Sequence, residues 1–148
     1  MFVRIVIQRV NGANVRVSDE IVGEIGPGLV LLVCVEKGDL PSILDKASKK
    51  ILNLRCFEDP DTKKMGKSVS DIEGASLLAI SQFTLSWRGE KGNRPGFDNS
   101  MEPEKANEMF EDFCSILKKT VQVEKGVFGE FMDVSIRNQG PVTFCLDF

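Results

Sequence analysis

Four short segments rich in Val and Ile follow one another at the start of the chain, and turn-forming residues separate them. The segments are residues 3–10, 14–17, 21–25 and 29–35. β-branched residues favour strands, whereas Gly, Asn, Asp and Pro between apolar runs favour turns. The last segment is apolar throughout, which is typical of a central strand. A chain that begins this way predicts adjoining strands and therefore a mainly antiparallel sheet.

Two later segments carry apolar residues at helical spacing. One starts near Pro41, which suits the first turn of a helix, and the other starts near Pro103. Their apolar positions are Leu44, Ala47, Ile51 and Leu54, and then Ala106, Met109, Phe110, Phe113 and Leu117. Further strands are predicted at residues 75–81, 121–124, 132–136 and 142–146. Because no linker or repeat separates these segments, the sequence predicts one α+β domain, residues 1–148, with a curved sheet.

The absence of histidine excludes several kinds of chemistry. Among its 148 residues the chain has no His and no Tyr. Ser-His-Asp and Cys-His catalysis, imidazole metal ligands and histidine general bases are therefore excluded. With 19 Lys and Arg against 22 Asp and Glu, the net charge of −3 provides no overall basic field for nucleic acid. We expect no metal and no cofactor, so that any chemistry uses other side chains, the backbone or the substrate itself.

The cysteines and the apolar runs indicate the compartment. Cys34, Cys56, Cys114 and Cys145 form no C-x-x-C pair, and each stands among apolar residues. They are predicted to be reduced core residues, which is typical of a cytoplasmic protein. The longest apolar run, residues 29–35, is much shorter than the ~20 residues that span a membrane. Because the N-terminus also lacks the features of a signal peptide, we expect a cytoplasmic protein with no membrane partner.

Residues 81–85, Ser-Gln-Phe-Thr-Leu, follow a predicted buried strand. Hydroxyl and amide groups at the edge of a sheet can orient a substrate and donate hydrogen bonds to a developing oxyanion. The alternative is an ordinary strand end whose polar groups are solvated or cap a turn. Composition alone favours that alternative, because so short a motif is weakly specific.

Residues 138–143, Asn-Gln-Gly-Pro-Val-Thr, predict a turn followed by a strand. Pro141 then occupies the first position of the strand, where its missing N–H costs least. A tight turn of this kind can hold a cis Gly-Pro bond. Because only about 5–6% of X-Pro bonds are cis, the residues by themselves favour trans.

Residues 88–97 form a glycine-rich basic segment with three cations, one anion and three glycines. Such a loop can contact phosphate groups, and it can equally be a solvated surface loop. The neighbouring residues 102–112 are acidic, so any positive potential is local. Lys63, Lys64 and Lys67 form a second small cluster with the same two interpretations.

Taken together, these segments resemble the D-aminoacyl-tRNA deacylase family. Residues 81–85 and 138–143 are similar to its two signature motifs. The similarity continues in order along essentially the whole chain, in residues 7–10, 22–29, 50–55, 91–95, 126–129 and Met132. The departures are Gly66, where the family usually has Asn; Gln139, where Asp is common; and residues 86–90, which differ from the usual loop.

The resemblance implies a homodimer of barrel-like, β-rich subunits flanked by two or three helices, with each active site at the subunit interface. It implies cleavage of the ester between a D-amino acid and the terminal ribose of tRNA, with glycyl-tRNA also accepted. A cis turn at Gly140 and Pro141, braced by Arg9, is expected to enter the partner's pocket and reject L-amino acids. The implied residues are Ser81, Gln82, Phe83 and Thr84 for catalysis, Gly140, Pro141, Arg9, Met132 and Asn138 for substrate binding, and Arg88, Lys91 and Arg94 for tRNA binding.

The implied chemistry needs no histidine. An aminoacyl ester is already activated, and the resemblance implies that the ribose 2′-hydroxyl assists, so the protein supplies positioning and oxyanion stabilisation. We assign these roles to Ser81, Gln82 and backbone N–H groups near Phe83 and Thr84. Thr84 is also a candidate nucleophile, but no base lies near it in sequence, and we therefore rank it as a positioning residue.

Three other functions remain open on the sequence. A non-enzymatic tRNA- or RNA-binding module needs the basic loop but not Gly140 and Pro141. A small-molecule esterase that uses Thr84 or Ser81 cleaves simple esters lacking the terminal adenosine. A structural or interaction protein on this fold tolerates the combined loss of Gln82, Thr84 and Gly140.

Overall fold

The computed structural model describes residues 2–148, which form eight strands and two α-helices. The strands are β1 (Arg4–Val17), β2 (Glu20–Ile25), β3 (Gly28–Cys34), β4 (Phe57–Glu58), β5 (Met65–Lys67), β6 (Ser76–Ser81), β7 (Gln122–Lys125) and β8 (Asp133–Asp147). The α-helices are α1 (Ile43–Asn53) and α2 (Pro103–Lys118), and 3-10 helices cover Val69–Asp71 and Phe83–Ser86. Neither α-helix within residues 2–148 has the length and apolar character needed to cross a membrane.

Six strands form one curved, barrel-like sheet. Its order is β2-β1-β3-β6-β7, and β8 also pairs with β1. Strand β1 pairs antiparallel with β2, β3 and β8, while the pairs β3–β6 and β6–β7 are parallel. The two parallel pairs are those whose connections contain α1 and α2, because parallel neighbours need a long crossover. The predicted α+β fold, with a mainly antiparallel, barrel-like sheet flanked by two helices, is confirmed.

Two pairs of predicted strands are each one continuous strand. Residues 3–10 and 14–17 are joined in β1, and residues 132–136 and 142–146 are joined in β8. The predicted turn at residues 11–12 is wrong, because β8 pairs with both halves of β1 and shifts of register absorb the irregular residues. Pairing with a partner strand thus outweighs the local turn preference.

The apolar side chains form two clusters on the two faces of the sheet. The larger cluster joins the sheet to both α-helices and contains Ile51 of α1 and Phe113 of α2. Leu77 of β6 belongs to this cluster, whereas its neighbour Leu78 belongs to the other, because side chains alternate along a strand. Met132 packs at the edge of the second cluster, so the core fixes the start of β8 against β6.

The four cysteines are free thiols, and three of them are buried. Cys34, Cys56 and Cys114 lie in the interior as predicted. The prediction of a core position is wrong for Cys145, which is exposed. Its neighbours on β8, residues 144 and 146, pack against the core, so strand alternation turns the Cys145 side chain outward.

Candidate active site

The Ser-Gln-Phe-Thr-Leu motif lies where the chain leaves strand β6. Ser81 is paired with Val33 of the parallel strand β3, so the motif follows the carboxyl ends of two buried strands. The Gln82 backbone N–H donates to the Val33 carbonyl oxygen at 2.8 Å. A 3-10 helix then covers Phe83–Ser86, and residues 82–86 are hereafter the 82–86 turn. Ligand sites commonly form at the carboxyl ends of parallel strands.

The side chains of Gln82 and Thr84 are joined within the 82–86 turn. Gln82 Nε2 donates to Thr84 Oγ1 at 2.5 Å. Thr84 is exposed, and within residues 2–148 its hydroxyl is hydrogen-bonded to this amide and to no carboxylate or amine. A threonine hydroxyl without an adjacent base is a weak nucleophile, so the geometry favours a positioning role for Thr84.

The 82–86 turn contributes to the wall of a cavity of about 650 Å³. The predicted site residues Ser81, Gln82, Phe83 and Met132 all line this cavity, whereas Thr84 does not. The rest of the wall is mostly apolar and includes Val33, Ile80, Met101, Phe110, Phe128 and Val134. An apolar cavity with a few polar groups at one place is typical of a small-ligand site.

Two aromatic residues of this cavity were not among the predicted site residues. Phe131 lines the cavity, although its side chain is 92% exposed. Phe97 lies edge-on to Phe83, with ring centroids 5.0 Å apart. An exposed ring at the mouth of a cavity offers a face on which a nucleic-acid base can stack. The available signal was an aromatic residue in a turn, next to Met132, without any apolar periodicity that would bury it.

The other reactive groups of the cavity wall are poor catalytic candidates. Burial, with a smaller contribution from Glu36, raises the pKa of the Cys34 thiol to about 11. The thiol is therefore protonated near neutral pH, whereas the thiolate is the nucleophilic form. Lys37, Glu102 and Glu130 also line the cavity, but their side chains are exposed. Among residues 2–148, no three His, Cys, Asp or Glu side chains come together as metal ligands.

Residues 138–143 form a bulge on β8. Both ends of the segment are paired with β1, and the residues between those ends stand opposite Arg9 alone. The peptide bond between Gly140 and Pro141 is cis, in contrast to the trans bond that the residues alone favour. Residues 138–141, which include the predicted substrate-binding Asn138, are exposed, and none of them lines the cavity of the described chain.

Arg9 ties this bulge to the body of the protein. Its Nε donates to the Gln139 carbonyl oxygen at 3.2 Å, and its Nη1 donates to the Cys56 carbonyl oxygen at 2.7 Å. Gly140 has a φ of +123°, and a Cβ at this position would lie 3.0 Å from Arg9 Nη2 and 3.0 Å from Val142 Cγ2. Both the backbone conformation and the available space therefore favour glycine.

The three predicted tRNA-binding cations lie on one loop but have different surroundings. Arg88, Lys91 and Arg94 line an open polar cavity of about 740 Å³ together with Trp87. Lys91 and Arg94 are exposed, and neither has an ion-pair partner within residues 2–148. Arg88 instead forms an ion pair with the buried side chain of Glu36. The loop therefore presents two cations to solvent and turns the third inward.

Comparison with known proteins identifies relatives along almost the entire chain. The family model described as D-Tyr-tRNA(Tyr) deacylase matches residues 6–147. The D-aminoacyl-tRNA deacylase of Persephonella marina is 51% identical over 96% of this chain and 95% of its own, and that of Trichodesmium erythraeum is 48% identical over 97% and 95%. A solved structure of the c-Myc DNA Unwinding Element Binding Protein is 39% identical over 97% of both chains, with a TM-score of 0.90. A probable eukaryotic D-amino acid tRNA deacylase, 16% identical over the full length of both chains with a TM-score of 0.86, shares the fold.

These matches define the class of protein, which is a hydrolase built on a barrel-like sheet. The chain belongs to the D-Tyr-tRNA(Tyr) deacylase family. The resemblance of the chain to this family is thereby confirmed, as is the prediction of an enzyme. Within one chain the structure separates these segments, with residues 81–85 at the cavity and residues 138–143 on an exposed bulge.

Proposed function

We propose that this enzyme hydrolyses the ester between a D-amino acid and the terminal ribose of tRNA. It also deacylates glycyl-tRNA, rejects L-aminoacyl-tRNA, and acts in the cytoplasm as a homodimer on the aminoacylated 3′ end. Family membership supports the reaction, and its relatives bear the name D-aminoacyl-tRNA deacylase. The position of Gly140 and Pro141 supports the way in which substrates are selected.

The proposed selection of D- over L-aminoacyl-tRNA rests on the exposure of Gly140 and Pro141. Both residues project from the bulge opposite Arg9, outside the cavity of their own chain. That cavity is lined by Gln82 and Phe83. In a two-fold dimer, the bulge of each chain can enter the cavity of the other. Each active site then contains groups from both subunits.

A selector made of main-chain atoms accounts for acceptance of many D-amino acids. Carbonyl groups of the turn at Gly140 and Pro141 hold the amino group of the substrate, and the main chain occupies the space that an L side chain needs. Selection by exclusion rejects the L isomer, whereas glycine has no side chain to be rejected. A pocket shaped around one particular side chain would not serve every D-amino acid.

Hydrolysis depends on positioned dipoles and on the substrate itself. Water attacks the ester carbonyl carbon, the acyl C–O bond breaks, and the ribose 3′-oxygen leaves with a proton, assisted by the neighbouring 2′-hydroxyl. The first N–H groups of a helix have no carbonyl partner within it, so the backbone N–H groups of Phe83 and Thr84 are available to the oxyanion. Ser81 and the Gln82 amide complete the polar end of the cavity.

Deacylation of one tRNA carrying a D-amino acid, the matching L-amino acid or glycine tests this proposal. We expect rapid release from the D-aminoacyl- and glycyl-tRNA and no release from the L form. Binding of tRNA without release of the D-amino acid would support the RNA-binding module instead. Comparable turnover of simple esters that lack the terminal adenosine would support a small-molecule esterase.

We expect Thr84→Ala to retain kcat within about tenfold of the wild type. Loss of a true nucleophile typically costs about 10⁴-fold or more, but the Thr84 hydroxyl has an amide rather than a base beside it. Single-turnover deacylation of D-aminoacyl-tRNA measures the effect. Mass-spectrometric detection of an acyl group on Thr84 in the quenched wild-type reaction would overturn the positioning role.

A further inference from the structure

Glu36 is a buried carboxylate that has two hydrogen-bond donors. Its side chain is only 3% exposed, and its backbone forms an isolated β-bridge with Ser100. One carboxylate oxygen accepts a hydrogen bond from Arg88 Nη2, and the other accepts one from the Phe2 backbone N–H at 3.4 Å. A buried charge is tolerated when it is paired and hydrogen-bonded, so Glu36 requires its arginine partner.

Arg88 uses its other terminal nitrogen to hold the 82–86 turn. Its Nη1 donates to the Leu85 carbonyl oxygen at 2.5 Å, and Leu85 directly follows Thr84. The Arg88 side chain is 25% exposed, and both terminal nitrogens have acceptors inside the protein. A planar guanidinium that bridges two acceptors fixes their relative position.

The hydrogen bonds inside the 82–86 turn are weak, although Cys34 Sγ also donates to the Phe83 carbonyl oxygen at 3.6 Å. The turn contains one 3-10 helix of four residues, and the hydrogen-bond geometry of 3-10 helices is poorer than that of α-helices. The N–H of Leu85 donates to the Gln82 carbonyl oxygen at 3.3 Å, and that of Trp87 donates to the Thr84 carbonyl oxygen at 3.2 Å. The contact from Arg88 is a charge-assisted hydrogen bond and is therefore a stronger restraint than either.

We propose that Glu36 and Arg88 form a clamp that positions the 82–86 turn for catalysis, and that Arg88 does not bind tRNA phosphate. This inference rests on the proposed catalytic function of the turn. It removes Arg88 from the group of predicted tRNA-binding cations and leaves Lys91 and Arg94 in that role. Arg88 of this clamp lies in residues 86–90, where the sequence departs from the usual loop of the family.

Steady-state deacylation of D-aminoacyl-tRNA at several salt concentrations separates a clamp from a phosphate contact. We expect Arg88→Met to lower kcat by about 10²-fold, because a misplacement of about 1 Å has this effect, and to leave KM and its salt dependence unchanged. The comparison variant Lys91→Met should raise KM and reduce the slope of log KM against log salt by about one. If Arg88→Met instead raised KM and reduced its salt dependence, as expected for Lys91→Met, the clamp would be overturned.

Glu36→Gln removes the charge of the other partner while keeping its shape. We expect a similar fall in kcat, and the double variant with Arg88→Met should lose no more than the more severe single variant, because the two residues act as one unit. Fully additive losses would overturn the clamp. Should either variant fail to fold, Arg88→Lys keeps a positive charge beside Glu36 but cannot also hold Leu85, so kcat should fall with KM unchanged.

Amide hydrogen exchange tests the clamp independently of the reaction. The N–H groups of Leu85 and Trp87 should exchange faster in Arg88→Met than in the wild type, and they should be unaffected in Lys91→Met. Equal protection of the turn in Arg88→Met and the wild type would overturn the clamp. A wild-type enzyme that fails to release D-amino acids would refute the proposed function. The exchange rates would still show whether Arg88 holds the 82–86 turn in place.

Discussion

Gly140→Ala is expected to lower kcat/KM for D-aminoacyl-tRNA by about 10²-fold or more, with the fold and the oligomeric state unchanged, because a shift of about 1 Å in a positioning group has this effect. A Cβ at residue 140 would lie 3.0 Å from Arg9 Nη2 and from Val142 Cγ2, and the φ of +123° is rarely adopted by L residues. The bulge must therefore move, and the carbonyl groups of the proposed selector then move away from the amino group of the substrate. Single-turnover deacylation measures the loss.

Gly74→Ala is the matched control for this substitution. Gly74 also has a positive φ, +76°, but nothing lies within 4 Å of a Cβ built there, and it belongs to neither signature segment and does not line the cavity. The control should show the cost of backbone strain as a lower Tm, with deacylation unchanged. Near wild-type deacylation by Gly140→Ala, in a protein that size-exclusion chromatography shows to be dimeric, would contradict the selector.

Gln82→Glu is expected to lower kcat by about 10²–10³-fold, which is the usual cost of losing one oxyanion donor. The substitution is nearly isosteric, but it replaces the donating amide by a carboxylate and places a negative charge beside the developing oxyanion. It also removes the donor of the 2.5 Å hydrogen bond to Thr84 Oγ1. Because the loss occurs in the transition state, kcat and kcat/KM should fall together.

Gln122→Glu is a suitable control, since it makes the same chemical change at an exposed position of β7 outside the cavity. Its turnover should equal that of the wild type. A kcat for Gln82→Glu within threefold of the wild type would remove the side-chain amide from the mechanism. Oxyanion stabilisation would then rest on the backbone N–H groups of Phe83 and Thr84.

Local patterns were sufficient to predict the elements of the fold but not their continuity. Apolar spacing after Pro41 and Pro103 correctly indicated α1 and α2, since one face of each helix is buried. Residues 11–12, Asn-Gly, predict a turn because this pair favours turns in isolated hairpins. In the structure, β8 pairs along both halves of β1 and keeps it extended, and this partner lies more than a hundred positions away in the sequence.

The sequence motifs of the candidate site could be predicted from the chain alone. The geometry of the site could not, because it depends on contacts between residues far apart in the sequence. The polar residues Ser81 and Gln82 end a buried strand, and this local feature placed them correctly at the edge of the sheet. The partner of Arg88 is Glu36, 52 positions earlier, and no local rule relates the two residues. Arg88 was therefore grouped with its neighbours on the loop by charge alone. The role of Phe131 has no local sequence signature, because it depends on the cavity that this residue lines.

Strand β8 contributes to two different places in the molecule. Val134, near its start, lines the cavity of its own chain, while Gly140 farther along is exposed. In the proposed dimer, a subunit that carries Gln82→Glu still contributes an intact bulge to its partner. A subunit that carries Gly140→Ala still has an intact cavity. Mixing Gln82→Glu and Gly140→Ala subunits should therefore produce intersubunit complementation, with recovery of up to about a quarter of the wild-type rate, since each hybrid dimer regains one of its two sites.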